Sequence, residues 1–254
     1  MKIILVTPNE PFYLAENLKY FIEILNKKHN IVACVLQSPT PFGKRKSSFQ
    51  KVKETYKIFG FKFVFYYSFQ LVINKLFTPS VKRILQRNDV EIINLIESVN
   101  SKKSISIIKN TGAELVVSIL GNQIFKSPLL NATSLGCINL HTSLLPIYRG
   151  MMPTFWVMKN NEKTTGVSVF HMDEGIDSGP IICQKEVIIN SNDTQKKLIK
   201  RTKKIGMELI SKAIDLIEDG QLEYIINEQN KSSYYGFPNR QDVKHFKKQG
   251  KKFF

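Results

Sequence analysis

The 254-residue sequence predicts an α/β fold, a mostly parallel sheet flanked by helices, with a long C-terminal helix and a short tail. Three observations carry this. A strand, a helix and a second strand follow one another in the first forty residues, the order that builds parallel pairs through right-handed crossovers. Short apolar runs ended by Pro, Asn or Gly recur along the chain, as buried strands do. Residues 194–219 then keep helical spacing for about seven turns.

The elements follow in order. Residues 2–7 are an apolar run stopped by Pro8 and Asn9, a strand leading into a loop. Leu14, Leu18, Phe21, Ile22 and Leu25 recur at three- and four-residue intervals, which predicts a helix before the polar break at 26–30. Residues 31–36 read as a second strand, closed by Ser38-Pro-Thr-Pro41. The Phe- and Tyr-rich stretch 61–77 fits either a helix or a strand with a loop. Residues 91–95, 115–120 and 134–140 read as strands and 101–110 as a helix. Residues 166–170 and 181–189 are expected to be later, antiparallel strands. Ser191-Asn-Asp193 is an N-cap cluster for the long helix, whose apolar positions (Leu198, Ile205, Leu209, Ala213, Ile217) stop at Gly220. The remainder, 221–254, is read as a polar tail with a short aromatic island.

Hydrophobic residues make up 43%, with 17 Phe and 9 Tyr, enough apolar mass for a packed core and too much for a disordered polymer. No run approaches the roughly 18 apolar residues that cross a bilayer, and Met1-Lys2 leads straight into a short apolar run without the pattern of a signal peptide, so a cytoplasmic protein without a membrane span is expected. Cys34, Cys137 and Cys183 are far apart and sit in apolar runs, as small hydrophobes do. Four histidines, with no Cys-x-x-Cys and no His-x-x-x-His, leave no metal motif, and no metal is expected.

The net charge of +16 invites a nucleic-acid reading, and its distribution weakens it. Residues 42–63 carry +6 and residues 231–254 another +6, whereas residues 111–190 carry −1. Solvated lysines explain this at least as well as a polyanion site, so a nucleic-acid partner is not expected.

Chemistry concentrates in Asn139-Leu-His-Thr-Ser-Leu-Leu-Pro-Ile-Tyr-Arg-Gly150 and Asp173-Glu-Gly-Ile-Asp-Ser-Gly-Pro180. Residues two apart on a strand face the same side, about 6.8 Å apart along the chain, so Asn139 and His141 stand side by side at a strand's carboxyl end, where open α/β sheets build their sites. An amide can donate to a carbonyl oxygen that becomes anionic, and an imidazole can carry a proton near neutral pH. Asp177, in a loop flanked by Gly175, Gly179 and Pro180, is a carboxylate able to orient His141 and favour its charged form.

These two motifs at this spacing resemble the formyltransferase family that uses 10-formyltetrahydrofolate, whose members act on glycinamide ribonucleotide, methionyl-tRNA and nucleotide-linked amino sugars. The strong motifs span 136–180 and a looser similarity of element order covers about 1–220. The resemblance implies a Rossmann-like catalytic domain over 1–190, with 191–254 a C-terminal helix and basic tail packed on it. It makes Asn139, His141 and Asp177 the catalytic residues: a primary amine attacks the formyl carbon, Asn139 and protonated His141 hold the oxyanion, and Asp177 keeps the imidazole oriented. It implies a pterin cleft bordered by Leu120, Gly121 and Asn122 on one side and by His171, Asp173 and Ile176 on the other; for His171 a mere strand-end residue is the preferred reading. Ser143-Leu-Leu-Pro146 is expected to be a rigid turn and Tyr148-Arg149-Gly150 a lip, with Tyr148 and Arg149 toward the acceptor; Arg149 meets either a substrate phosphate or a carboxylate of the fold. Asn9, Glu10, Phe12 and Tyr13, after the first strand, are placed by topology beside the acceptor.

Among acceptors, methionyl-tRNA enzymes of the family carry a further C-terminal domain of about 100 residues, and only 34 residues follow Gly220 here. Glycinamide ribonucleotide enzymes have a glycine-rich phosphate loop after the first strand, where this chain has Thr7-Pro-Asn-Glu-Pro-Phe-Tyr13, with no glycine. The resemblance is therefore strongest to the nucleotide-linked amino-sugar enzymes of polysaccharide (O-antigen) biosynthesis, with 10-formyltetrahydrofolate as cosubstrate and a homodimer compatible. Methionyl-tRNA, another small amine, and a noncatalytic nucleotide- or RNA-binding module are the alternatives; the last predicts damage to the three catalytic positions, and none is visible. The aromatics of Ser233-Tyr-Tyr-Gly-Phe-Pro-Asn-Arg240 either stack on a base or pin the tail to the body, and the second reading is preferred.

Overall fold

A computed structural model describes residues 1–37 and 47–254. The Ser38–Pro41 loop closure and the first five residues of the basic stretch 42–63 lie outside the described residues. Among the described residues nine strands form: β1 (Lys2–Pro8), β2 (Asn30–Gln37), β3 (Glu91–Ile93), β4 (Leu115–Ile119), β5 (Cys137–His141), β6 (Arg149–Gly150), β7 (Thr164–His171), β8 (Ile181–Ile188) and β9 (Tyr234–Tyr235). The helices are α1 (Leu14–Ile24), α2 (Ser48–Phe59), α3 (Phe61–Phe77), α4 (Val81–Arg87), α5 (Lys102–Asn110), α6 (Ser127–Leu130), α7 (Pro153–Lys159), α8 (Gln195–Glu218) and α9 (Arg240–Lys248).

Seven strands make one sheet in the order β3-β2-β1-β4-β5-β7-β8. The first five are parallel, whereas β7 runs antiparallel to both β5 and β8, as the later strands were expected to do. From β1 the chain builds outward to β2 and β3, then returns to the other side of β1 with β4. The crevice between the carboxyl ends of β1 and β4 is thus a switch point, where an open sheet leaves room for a ligand. Alternate residues of β1 enter opposite cores, Ile3 and Leu5 on one face and Ile4 and Val6 on the other. Burial on both faces is why its sequence is an uninterrupted apolar run.

Helix α8 lays Leu198, Met207, Ile210, Ala213 and Ile214 against the sheet and α1, in the same core as β1, β4, β5 and β7. Its N-cap is Thr194, whose hydroxyl accepts from Lys197 N at 3.3 Å; Asp193, expected to cap, instead pairs with Arg201. The ambiguous stretch 61–77 is one helix, α3, joined to α2 through Gly60 in the left-handed region (φ +86°). None of its residues is fully buried, so neither strand alternation nor a one-sided helical stripe stands out in its sequence.

The tail is more than a polar extension. Tyr234 and Tyr235 pair in parallel with Arg149 and Gly150, and Asn239 and Asp242 form a capping box that starts α9. Phe246 of α9 is fully buried, with ring centroids 5.0 Å from Phe155 and 4.6 Å from Phe253. Phe246→Ala should therefore cost roughly 3–5 kcal/mol of unfolding free energy, measured as a shift in the urea midpoint; a loss under about 1 kcal/mol would mean that the tail contributes nothing to the core.

Candidate active site

A cavity of about 420 Å³ opens at the carboxyl ends of β1, β4 and β5, within the range of small-molecule sites. Asn139 and His141 both line it, as their i, i+2 spacing on β5 requires, and Leu140 between them also contributes to the lining while its side chain packs in the main core toward Gly206. Asp177 lines the same cavity from the loop between β7 and β8.

His141 is held from both sides. Its Nε2 lies 2.8 Å from the Tyr148 carbonyl oxygen, and because a carbonyl only accepts, the ring's proton sits on Nε2. Its Nδ1 faces Asp177 Oδ2 at 3.5 Å. That same carboxylate oxygen accepts from Gly150 N at 2.8 Å, and the Asp177 backbone oxygen accepts from the Asn227 side chain at 3.0 Å. Asn139 Oδ1 and Ser118 Oγ are buried with no partner in the protein, so polar capacity at the cavity floor is unspent. Leu120, Met152 and Asp177 line the cavity with positive φ (59°, 53° and 50°), and Tyr148, whose carbonyl fixes the imidazole, has φ +60°. Each of these is a backbone conformation that costs on the order of 1–3 kcal/mol for a residue with a side chain, and such strain collects at working sites.

Leu120, Gly121 and Asn122 form one wall. A side chain at Gly121 would put its Cβ 2.5 Å from Ser118 Oγ, so the backbone comes as close to the floor as only glycine allows. Asp173 and Ile176 form the facing wall, where Asp173 ties its own loop by accepting from Gly175 N (3.0 Å) and Ser178 Oγ (2.6 Å). The Ser143–Pro146 turn is braced by Leu145 N donating to Ser168 Oγ (3.1 Å) and Gln184 Nε2 donating to Leu145 O (2.8 Å).

Other expected positions fall elsewhere. His171 ends β7 beside Tyr224 and outside the cavity lining; burial pushes its pKa down. Asn9 is also outside the lining, its N–H donating to Gln37 O at 3.0 Å. Phe12 and Tyr13 line a separate small cleft of about 60 Å³ against α3, where the Tyr13 and Tyr67 hydroxyls are 2.9 Å apart. Tyr148 is buried, its ring stacked on Tyr235 and its hydroxyl donating to Glu162 at 2.6 Å. Arg149 is buried outside the lining, its guanidinium donating to Gln229 Oε1 and Asn227 Oδ1, both at 2.6 Å. Neither a carboxylate of the fold nor the cavity receives it; it binds the tail to the lip. Burial lowers its pKa.

Glu10, expected beside the acceptor, does line the cavity, together with Met151, Met152 and Tyr234, which were not among the expected site residues. Glu10 was legible as an acid just before an amphipathic helix: its carboxylate accepts from the N–H groups of Phe12, Tyr13 and Leu14 at 2.8–2.9 Å, consuming the donors at the start of α1. Among the described residues, no group of three or more His, Cys, Asp or Glu side chains is placed to hold a metal ion, and no helix is long and apolar enough to cross a membrane.

Lys203, on α8, is buried; desolvation lowers its pKa to about 8, offset in part by the charge of Glu10. A lysine whose folded pKa falls below its unfolded 10.5 destabilises the fold below pH 8, and the penalty is relieved as pH rises from 8 to 10.5, where the unfolded chain binds more protons. Lys203→Met should raise stability at pH 7 by roughly 1–3 kcal/mol and flatten the rise above pH 8, measured by chemical unfolding at several pH values; an unchanged pH profile would contradict it.

Comparison with known proteins adds a second line. A family model described as formyl transferase matches residues 12–214. Methionyl-tRNA formyltransferase of Clostridioides difficile is 34% identical over 166 residues, 65% of this chain and 53% of that protein. The chain spans about half the length of that curated relative. Among solved structures, the N-formyltransferase of Helicobacter canadensis, in complex with folinic acid and dTDP-3-aminofucose, aligns with a TM-score of 0.59 at 23% identity, over 95% of this chain and 72% of that one. A formyltransferase from Anoxybacillus kamchatkensis, in complex with UDP-4,6-dideoxy-4-formamido-L-AltNAc and tetrahydrofolate, aligns with a TM-score of 0.56 at 19% identity, over 97% of each chain.

Proposed function

The chain belongs to the formyl transferase family, and on that premise we propose that it transfers a formyl group from 10-formyltetrahydrofolate to the primary amine of a nucleotide-linked amino sugar. One observation carries the reading: an amide, an imidazole and a carboxylate from two separate segments, Asn139, His141 and Asp177, meet at a single cavity. The folate, when bound, supplies an electrophilic formyl carbonyl. Leu120, Gly121 and Asn122 with Asp173 and Ile176 are the walls that would hold it, and the close backbone at Gly121 suits a flat ring system.

The chain's own groups then divide the work. The Asn139 amide is assigned the donor to an oxygen that gains charge, and His141 is the group that gives or takes a proton at Nδ1, since Nε2 is committed to the Tyr148 carbonyl. Asp177 stabilises the charged ring and, through Gly150 N, fixes the distance between lip and imidazole. Apolar walls that include Leu120, Met152 and Phe170 limit water.

The acceptor reading rests on the start of α1. Glu10 already occupies the helix N-terminus that would otherwise attract a phosphate, which counts against a ribonucleotide held there. Structural relatives whose complexes contain nucleotide-linked sugars align over 95% and 97% of this chain, which favours the sugar. Methionyl-tRNA is the second reading, because curated relatives such as the Clostridioides enzyme carry that name.

Release of tetrahydrofolate should be seen with TDP-, UDP- or GDP-linked amino sugars and not with methionyl-tRNA or glycinamide ribonucleotide, and should change little with salt; turnover on tRNA with a steep loss of affinity between about 50 and 200 mM salt would favour the second reading. Asn139→Ala, His141→Asn and Asp177→Asn should each reduce turnover by about 10²-fold or more, on the order of 3 kcal/mol of barrier, with an unchanged unfolding midpoint. Normal turnover by His141→Asn would remove the mechanism.

A further inference from the structure

Residues 47–63 and 231–254 are far apart in sequence, and the helices α2 and α9 within them are adjacent in the fold. Residues 47–63 carry Lys51, Lys53, Lys57 and Lys62 against Glu54, and residues 231–254 carry +6 of the +16 total. Helix α9 packs on α2, and Lys247 of α9 donates from Nζ to Phe59 O at the end of α2 (2.8 Å). Burial lowers the pKa of Lys247, and Lys62, the second residue of α3, lowers it further by repulsion. Positive charge is therefore gathered around α2, α3 and α9.

Next to it lies an exposed apolar surface. The inner side of α3 is packed: Phe63 meets Phe253 (5.1 Å between centroids), Tyr66 stacks on Phe254 (3.8 Å) and Tyr67 meets Phe12 (5.1 Å). Its outer side exposes Phe61, Phe65, Phe69, Val72 and Leu76, each to more than half of its area. At about 100° per residue these five fall within an arc of about 80°, with Lys62 just beyond one border and Lys75 beyond the other. The stripe runs for about 25 Å. On α2, Phe49, Val52 and Tyr56 repeat the pattern at i, i+3, i+7, with Lys53 and Lys57 alongside.

We propose that the outer face of α2 and α3 docks on the surface of an anionic phospholipid membrane, the aromatic and aliphatic stripe entering the headgroup boundary while the bordering lysines meet lipid phosphates. Charge decides between occupants. A second copy packed face to face would bring lysines against lysines, whereas an anionic bilayer answers the charge and the apolar stripe together. An RNA would answer the charge but leave Val72 and Leu76, with no ring to stack on a base, without a role. Helix α3 has 17 residues with a lysine near each end, a length and pattern that lie on a membrane rather than cross it. The proposal is independent of the catalytic reading.

The test is co-sedimentation of the full chain with vesicles of equimolar phosphatidylcholine and phosphatidylglycerol, against vesicles of phosphatidylcholine alone. Partitioning onto the anionic vesicles should be at least about tenfold stronger and should fall with added salt. Phe65→Ser/Phe69→Ser, and separately Lys53→Glu/Lys57→Glu, should each weaken it about tenfold or more, with unfolding midpoint and tetrahydrofolate release unchanged. Four outcomes would overturn the proposal. These are equal partitioning onto neutral vesicles, no partitioning, variants that sediment like the parent, or a face that serves something else, seen as tRNA binding that the variants lose without any vesicle binding or as a solution dimer that Phe65→Ser/Phe69→Ser splits.

Discussion

One carboxylate ties the site together. Asp177, held in the left-handed region (φ +50°), faces His141 Nδ1 at 3.5 Å with an oxygen that also accepts from Gly150 N, while its backbone oxygen receives the Asn227 side chain. It thereby joins the end of β5, the lip at β6 and the chain beyond α8. β7 runs antiparallel beside β5 and ends with His171 opposite Ile138, and the loop that follows reaches back to the carboxyl end of β5, where Asp177 meets His141. Gly179 is required by the same close approach: a Cβ there would collide with the backbone oxygen of His171.

Much of this was legible in the sequence. Runs such as residues 2–7 and 115–120 announce strands because both faces of the sheet are buried, and the i, i+2 spacing of Asn139 and His141 follows from the strand alone. Other parts were hidden for physical reasons. The partner of His141 Nε2 is a backbone carbonyl, which no residue identity reveals. Arg149 carries a charge that suggests a phosphate, yet two neutral amides of the tail, 78 and 80 residues further on, take its two terminal nitrogens while Nε is buried without a partner. Phe12 and Tyr13 face α3 rather than the cavity, and the packing side of α3 cannot be picked out where both sides are aromatic. Helix α9 had a signal in Asn239 and Asp242, the capping box, obscured by the lysines that surround its two buried positions, Val243 and Phe246.

The site is built at a cost that the core has to offset. Four non-glycine residues at or beside the cavity hold positive φ, Lys203 is buried with only the distant help of Glu10, and Arg149 is desolvated among neutral partners. Rigid surroundings keep such features in place: the turn after β5 is cross-braced to β7 and β8, and the tail closes over the lip through β9, with Tyr235 stacked on Tyr148. Pre-set geometry of this kind suits chemistry that depends on placing donors before charge develops.

The account stands on the pinned imidazole. Long-range ¹H–¹⁵N correlation of His141 in the full chain reads directly which ring nitrogen carries the proton. The geometry predicts a proton on Nε2, with the Nδ1 signal shifted by Asp177→Asn. A ring protonated at Nδ1 with Nε2 free, or one that does not respond to the loss of the Asp177 charge, would contradict it.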